Sequence, residues 1–211
     1  TADVGLVWFR RDLRLGDNPA WATATQQHRR VVAVYVLDDV PLGLAGSHRR
    51  RQHVAELHAL DAALQEHGGR LLVRHGRPSI EVPAAVRVTG AEALYWNADV
   101  TPYARRRDGA VTAAVEVPVH TSWGHLVLPP GSVRAKGGHV HKVFGAFHRA
   151  WRSTPLAPWP EPGPATVADQ TGDGLPALDG PSRRPAGADA AQEALSSFLE
   201  QVDHYPEGRD E

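Results

Sequence analysis

The stretch VGLVWFRRDLRLGDNPA, residues 4–20, holds a complete strand-to-helix unit. Val4 to Phe9 is a mostly apolar run, the pattern of a strand covered on both faces. A charged turn follows, Arg10-Arg11-Asp12-Leu13-Arg14, and then Gly16-Asp17-Asn18-Pro19. Asn before Pro is an N-cap with proline at the first helical position, and it predicts a helix to Gln27.

The same alternation repeats downstream. Val31–Leu37 reads as a second buried strand, and the GLAG that follows at 43–46 reads as a turn. Ser47 caps a helix with Val54, Leu57, Leu60 and Leu64 at helical spacing, ended by Gly68-Gly69. Arg70–Arg74 is a third strand, Pro78–Val88 a helix, and Glu92–Trp96 a fourth strand. Pro102 opens a helix over Tyr103–Val115, and Val117–Trp123 is a weaker fifth strand. Strand and helix joined by short loops require right-handed crossovers and a parallel sheet. The expected fold is α/β, a Rossmann-like doubly wound five-stranded parallel sheet with helices on both faces, over residues 1–125.

Past residue 125 the character changes. Residues 126–152 are expected as an aromatic and basic extension packed on the sheet domain, with HKVFGAFHRAW (141–151) as a short helix or packed loop. Residues 153–187 read as a Pro-rich interdomain linker, since eight of the chain's 17 prolines fall between Pro155 and Pro185. Residues 188–211 read as a helix, with Ala191, Leu195, Phe198, Leu199 and Val202 at helical spacing.

Composition narrows the function classes. Net charge is −1, with 23 Lys+Arg against 24 Asp+Glu, so nucleic-acid or membrane binding would need a local patch. There is no cysteine, which excludes disulfides and thiolate metal sites and fits a cytoplasmic setting. No apolar run reaches the roughly 20 residues of a membrane span. The chain has no methionine, even at position 1, and is read as a processed or excised piece. The histidines lack the spacing of a metal-binding helix face, so no metal is expected. Arg49-Arg50-Arg51 and Arg105-Arg106-Arg107 read first as solvated helix faces, with phosphate contact as the alternative.

In a doubly wound sheet, ligands bind beyond the carboxyl ends of the strands, where the strand order reverses. The loops after the first, second and fourth strands bring Arg10, Arg11, Asp12, Asp38, Asn97 and Asp99 toward one crevice. The first βα loop has no GxGxxG and the chain no Walker motif, which argues against a dinucleotide dehydrogenase.

Three segments carry a resemblance. VWFRRDLRLGDNPA (7–20) resembles the N-terminal signature of DNA photolyases and cryptochromes. LYWNADVTPYARRRD (94–108) is similar to the family's second landmark, and VLPPGSVRAKGGHVHKVFGAFHRAW (127–151) to its third. In the third, His141 stands where the family commonly has Tyr, and Gly145-Ala146 where it has Thr-Pro. The tail from Phe198-Leu199 through DHYPEGRDE resembles the approach to the family's flavin domain.

The resemblance implies the N-terminal antenna-chromophore domain of a light-dependent DNA-repair photolyase, truncated before its FAD-binding domain and inactive alone. In the full-length protein, reduced FAD in the C-terminal domain would split pyrimidine dimers in UV-damaged DNA. Tyr103 and Ala104 stand where folate-binding members have an Asn-Glu pair, which argues against folate in that mode; 8-hydroxy-5-deazaflavin is favoured, with folate or FMN also possible. Asp99 matches an acidic residue that lies against the deazaflavin, and Arg49 matches an arginine of the second helix. Tyr35, Val36 and Leu37, with the backbone of Arg10–Asp12, would supply walls and donors, and Asp38 and Asp99 the polar edge. The alternatives are a cryptochrome photoreceptor fragment and a nucleotide-binding module like the universal stress proteins. Against the latter, the loop Asn97–Pro102 has no glycine.

Overall fold

The computed structural model describes residues 3–170 and 172–202. Its elements are β1 (Val4–Phe9), α1 (Pro19–Gln27), β2 (Arg30–Leu37), α2 (Asp39–Gly43), α3 (Ser47–Glu66), β3 (Leu71–His75) and α4 (Pro78–Thr89). Then follow β4 (Ala93–Asn97), α5 (Pro102–Ala114), β5 (Val119–Ser122), α6 (Phe144–Arg152), β6 (Thr166–Val167) and α7 (Ala188–Gln201). The tail sequence 203–211 lies outside the described residues.

All strand pairs are parallel, in the order β3-β2-β1-β4-β5. The order reverses beside β1, the doubly wound arrangement that the alternation predicts. All six residues of β1 are buried. Because strand side chains alternate, β1 feeds two cores. Val7 and Phe9 pack with Trp21 of α1 and with Leu57, Leu60 and Leu64 of α3. Leu6 and Trp8 pack on the other face with Val82 and Val86 of α4 and Val111 of α5.

The cap at Asn18 forms as expected: its side chain accepts from the Trp21 N–H at 3.2 Å, and Pro19 opens α1. α4 ends at Gly90, whose φ of 64° is the left-handed conformation that a side chain disfavours.

Three local features differ from the sequence reading. Part of the GLAG turn belongs to the short helix α2, because the Asp38 carboxylate caps the Val40 N–H at 3.1 Å. The cap of α3 is Gly46, with Ser47 inside the helix. The Pro-rich stretch contains β6, which pairs with β2 at Arg30 and Val31. Val167 is 6% exposed and joins the α1/α3 core.

From β6 the chain continues as a belt. The Asp173 N–H donates to the Val73 carbonyl on the outer edge of β3, and the Asp173 carboxylate accepts from the His75 N–H, both at 2.8 Å. Further on, the Gly187 N–H donates to Glu56 of α3 at 2.8 Å. Proline composition hid this pairing, since proline removes a donor without barring its neighbours from a ladder. Helices α6 and α7 contain no buried residue.

Candidate functional site

The crevice beyond β1 and β4 has an inner layer and an outer one. The inner layer is polar and almost fully enclosed: Arg10, Asp12, Asn18 and Asn97 are 7%, 6%, 1% and 2% exposed. The Asn97 amide donates to the Asp12 carboxylate and, at 2.7 Å, to the Asn18 side-chain oxygen. Its own oxygen accepts from the Ala20 N–H at 3.2 Å. The Asn18 amide donates to the Arg14 carbonyl at 2.8 Å. Asp12 also accepts from the Arg10 N–H at 3.2 Å. One end of β4, the turn after β1 and the start of α1 are thereby tied together. Gly124 lies directly against this knot: a Cβ there would come within 2.4 Å of the Asn97 carboxamide.

The Arg10 guanidinium donates to the Asn97 carbonyl and to Asp108 of α5. Asp108 also pairs with Arg107 at 2.8 Å. Arg10 lies 4.9 Å from the Trp8 ring centroid and 5.9 Å from that of Trp96. Arg107 lies 4.9 Å from Trp8 and 5.6 Å from Tyr103. Two guanidinium planes thus alternate with three aromatic rings, with one carboxylate between the cations. Such stacking stabilises a desolvated arginine. Burial and the neighbouring Arg107 lower the Arg10 pKa, opposed by Asp108 and Asp12, yet an arginine remains protonated there.

The outer layer is more open. The Tyr103 hydroxyl donates to the Asp38 carboxylate, bridging α5 to the loop after β2. Burial and this bond raise the Tyr103 pKa to about 12. Arg11 pairs with Asp99 at 3.2 Å; the Arg11 side chain is 70% exposed and that of Asp99 8%. Burial would raise the Asp99 pKa, but the Thr101 N–H and Arg11 hold it below the ordinary value. Tyr35 shares a 2.8 Å hydrogen bond with His53, and burial raises its pKa. Burial also lowers the His53 pKa.

The fold therefore brings together Arg10, Asp12 and Asn97 in the inner layer, and Arg11, Asp99 and Asp38 around it. Leu37 lies in the α1/α3 core, with Tyr35 partly buried against it. Val36 points through the opposite face into the core with Trp8 and Trp96. Arg49 is exposed on α3. Asn18, Tyr103, Arg107 and Asp108 complete the assembly but are absent from the sequence-derived set. Asn18 gave itself away as a cap, and the other three lay within the landmark of residues 94–108.

A planar ligand with a polar edge needs apolar walls and free hydrogen-bonding groups. The inner layer is closed to it, because its side chains are committed to one another. The loops beyond β2 and β4 fit better. There Val40, Leu44 and Val100 are 56%, 82% and 40% exposed, and Val100 directly follows Asp99, the partner of Arg11.

The family described as DNA photolyase matches residues 5–165. The chain belongs to the DNA photolyase family. It is 38% identical to a deoxyribodipyrimidine photo-lyase of Thermus thermophilus, over 97% of this chain and 47% of that protein. It is 30% identical to a cryptochrome DASH of Natronomonas pharaonis, over 97% of this chain and 48% of that one. A bacterial class III photolyase from Agrobacterium tumefaciens shares the fold, with a TM-score of 0.84 at 24% identity over 100% of this chain and 47% of its own. The chain thus spans about half the length of these relatives.

Two histidines of α3 share hydrogen bonds: His53 with the Tyr35 hydroxyl, and His58 with the Pro176 carbonyl at 2.9 Å. Among the described residues no group of three or more His, Cys, Asp or Glu is placed to hold a metal ion, and no helix is long and apolar enough to cross a membrane.

Proposed function

We propose that this chain is the antenna-binding α/β domain of a cytoplasmic, light-dependent photolyase acting on pyrimidine dimers in UV-damaged DNA, with its FAD in a separate helical domain. The observation that carries the reading is the two-layered crevice at the strand-order reversal, in a chain of this family. A rigid inner layer holds the loops in place, and an outer layer offers apolar side chains beside an arginine and two carboxylates. An 8-hydroxy-5-deazaflavin is the favoured antenna; when bound, it would supply absorbed light energy to the flavin of the helical domain. In this chain, Arg11, Asp38 and Asp99 would orient its polar edge, with Tyr35 and Leu37 behind them and Arg49 at the entrance. Arg10, Asp12 and Asn97 would act through the geometry they impose on those loops, and Val36 through packing.

The test is uptake of a deazaflavin by the purified chain, followed by absorbance and fluorescence. The wild type takes it up, and Asp99→Ala weakens uptake about tenfold, the loss of one ligand hydrogen bond to a charged group. Failure of uptake by the folded wild type would overturn the antenna assignment.

A further inference from the structure

Residues 117–160 contain no Asp or Glu. They contain five Lys/Arg residues, Arg134, Lys136, Lys142, Arg149 and Arg152, among them the chain's two lysines, and five histidines. This segment departs from a chain whose overall charge is −1. All five cations are exposed, and none pairs with a carboxylate among the described residues. Arg134 instead donates to the Gly131 and Gly138 carbonyls at 3.0 and 3.1 Å, which shapes the loop before α6.

Aromatic rings stand among these cations. Phe144, Phe147 and Trp151 recur at helical spacing on one face of α6 and are 76%, 38% and 37% exposed. His148 stacks on Phe144 with centroids 5.6 Å apart and planes 13° from parallel. Arg152 and Arg149 follow next around the helix, and Lys142 precedes its first turn. The result is a row of exposed aromatic rings bordered by cations that have no carboxylate partner among the described residues.

We propose that α6 and the loop before it form a nucleic-acid contact surface on the α/β domain, one that favours single strands. The cations meet phosphates, and the exposed rings take stacked bases without regard to sequence. The charge pattern distinguishes this surface from Arg107 and Arg51, which pair with Asp108 and Asp179. A lipid surface suits it less. The helix has nine residues, and apart from its rings the apolar side consists of Gly145, Ala146 and Ala150, which offer little to an acyl layer. The proposal stands independently of the antenna reading.

The test is fluorescence anisotropy of a labelled oligothymidylate titrated with the whole chain over a range of salt. Binding is expected at about 10 μM, with a log–log salt slope of about −3, as for about four phosphates neutralised on a single strand. The triple substitution Lys142→Gln, Arg149→Gln, Arg152→Gln weakens binding at least about tenfold and flattens the slope by about 2. Phe144→Ala weakens single-strand binding by about tenfold at unchanged slope and affects duplex binding much less. Both sets of positions are exposed, and circular dichroism verifies that the variants fold.

Absence of binding at low salt overturns the proposal. So does binding that survives the triple substitution but disappears with Arg49→Gln, Arg50→Gln. Two further results would overturn it: a dimer in sedimentation that Phe144→Ala dissolves, or equal binding to phosphatidylserine vesicles. These would assign the surface to a second copy of the chain or to a membrane.

Discussion

Arg10 and Arg11 are adjacent in the chain, yet Arg10 is 7% exposed while the Arg11 side chain is 70% exposed. Both leave the same strand and both meet an aspartate across the crevice. Arg10 continues the inward side of β1 and lands beside Trp8, between Asp108 and the Asn97 carbonyl. Arg11 turns outward and pairs with Asp99 at the surface. The difference assigns two roles within one charged turn: a desolvated cation that ties the turn after β1 to the end of β4 and to α5, and a solvated one free to meet a ligand. It also explains why a motif so dense in charge need not be catalytic. Much of its charge is spent on holding the turn.

The comparison can be broken most forcefully at Arg10. Arg10→Ala leaves Asp108 and the Asn97 carbonyl without this partner in an enclosed site, and should lower stability by about 3–5 kcal/mol. Urea unfolding would measure it, and a loss below about 1 kcal/mol would remove the distinction between the two layers. Tyr103 lies between the extremes. Its phenol keeps its proton to about pH 12 when folded and loses it near 10 when unfolded, so stability should fall as pH rises between those values. Tyr103→Phe makes that slope shallower, leaving the share of Tyr35 and Tyr95, whose pKa values burial also raises, and costs about 1–2 kcal/mol, the scale of a partly solvated hydrogen bond to a carboxylate. Absorbance titration of the phenol and unfolding across the alkaline range test both statements. Arg11→Ala should have the smallest effect, below about 1 kcal/mol, because Arg11 itself is solvated and Asp99 keeps the Thr101 N–H as a partner. Its consequence should appear in ligand uptake rather than in unfolding.

The apolar runs Val4–Phe9 and Val31–Leu37 specified buried parallel strands, because only a sheet covered on both faces accepts continuous hydrophobicity. Asn18-Pro19 specified where α1 begins, because a cap and a fixed φ act locally. The loops that converge at the crevice followed from the order of strands and helices. None of this required long-range information.

Other features arose only in three dimensions. The pairing of Asn97 with Asp12 and Asn18 spans 85 and 79 residues, and the bridge from Tyr103 to Asp38 spans 65. No local pattern encodes such contacts, since polar side chains choose partners by where the backbone delivers them. β6 was hidden for the same reason: two residues acquire strand character only because the edge of β2 is there to receive them. The sequence by itself determined the doubly wound sheet and the charged turn at its reversal, through patterns that repeat at the period of a strand or helix. The tertiary structure alone decided which of those charges are buried and which face solvent, because burial depends on what the rest of the chain places on top of them.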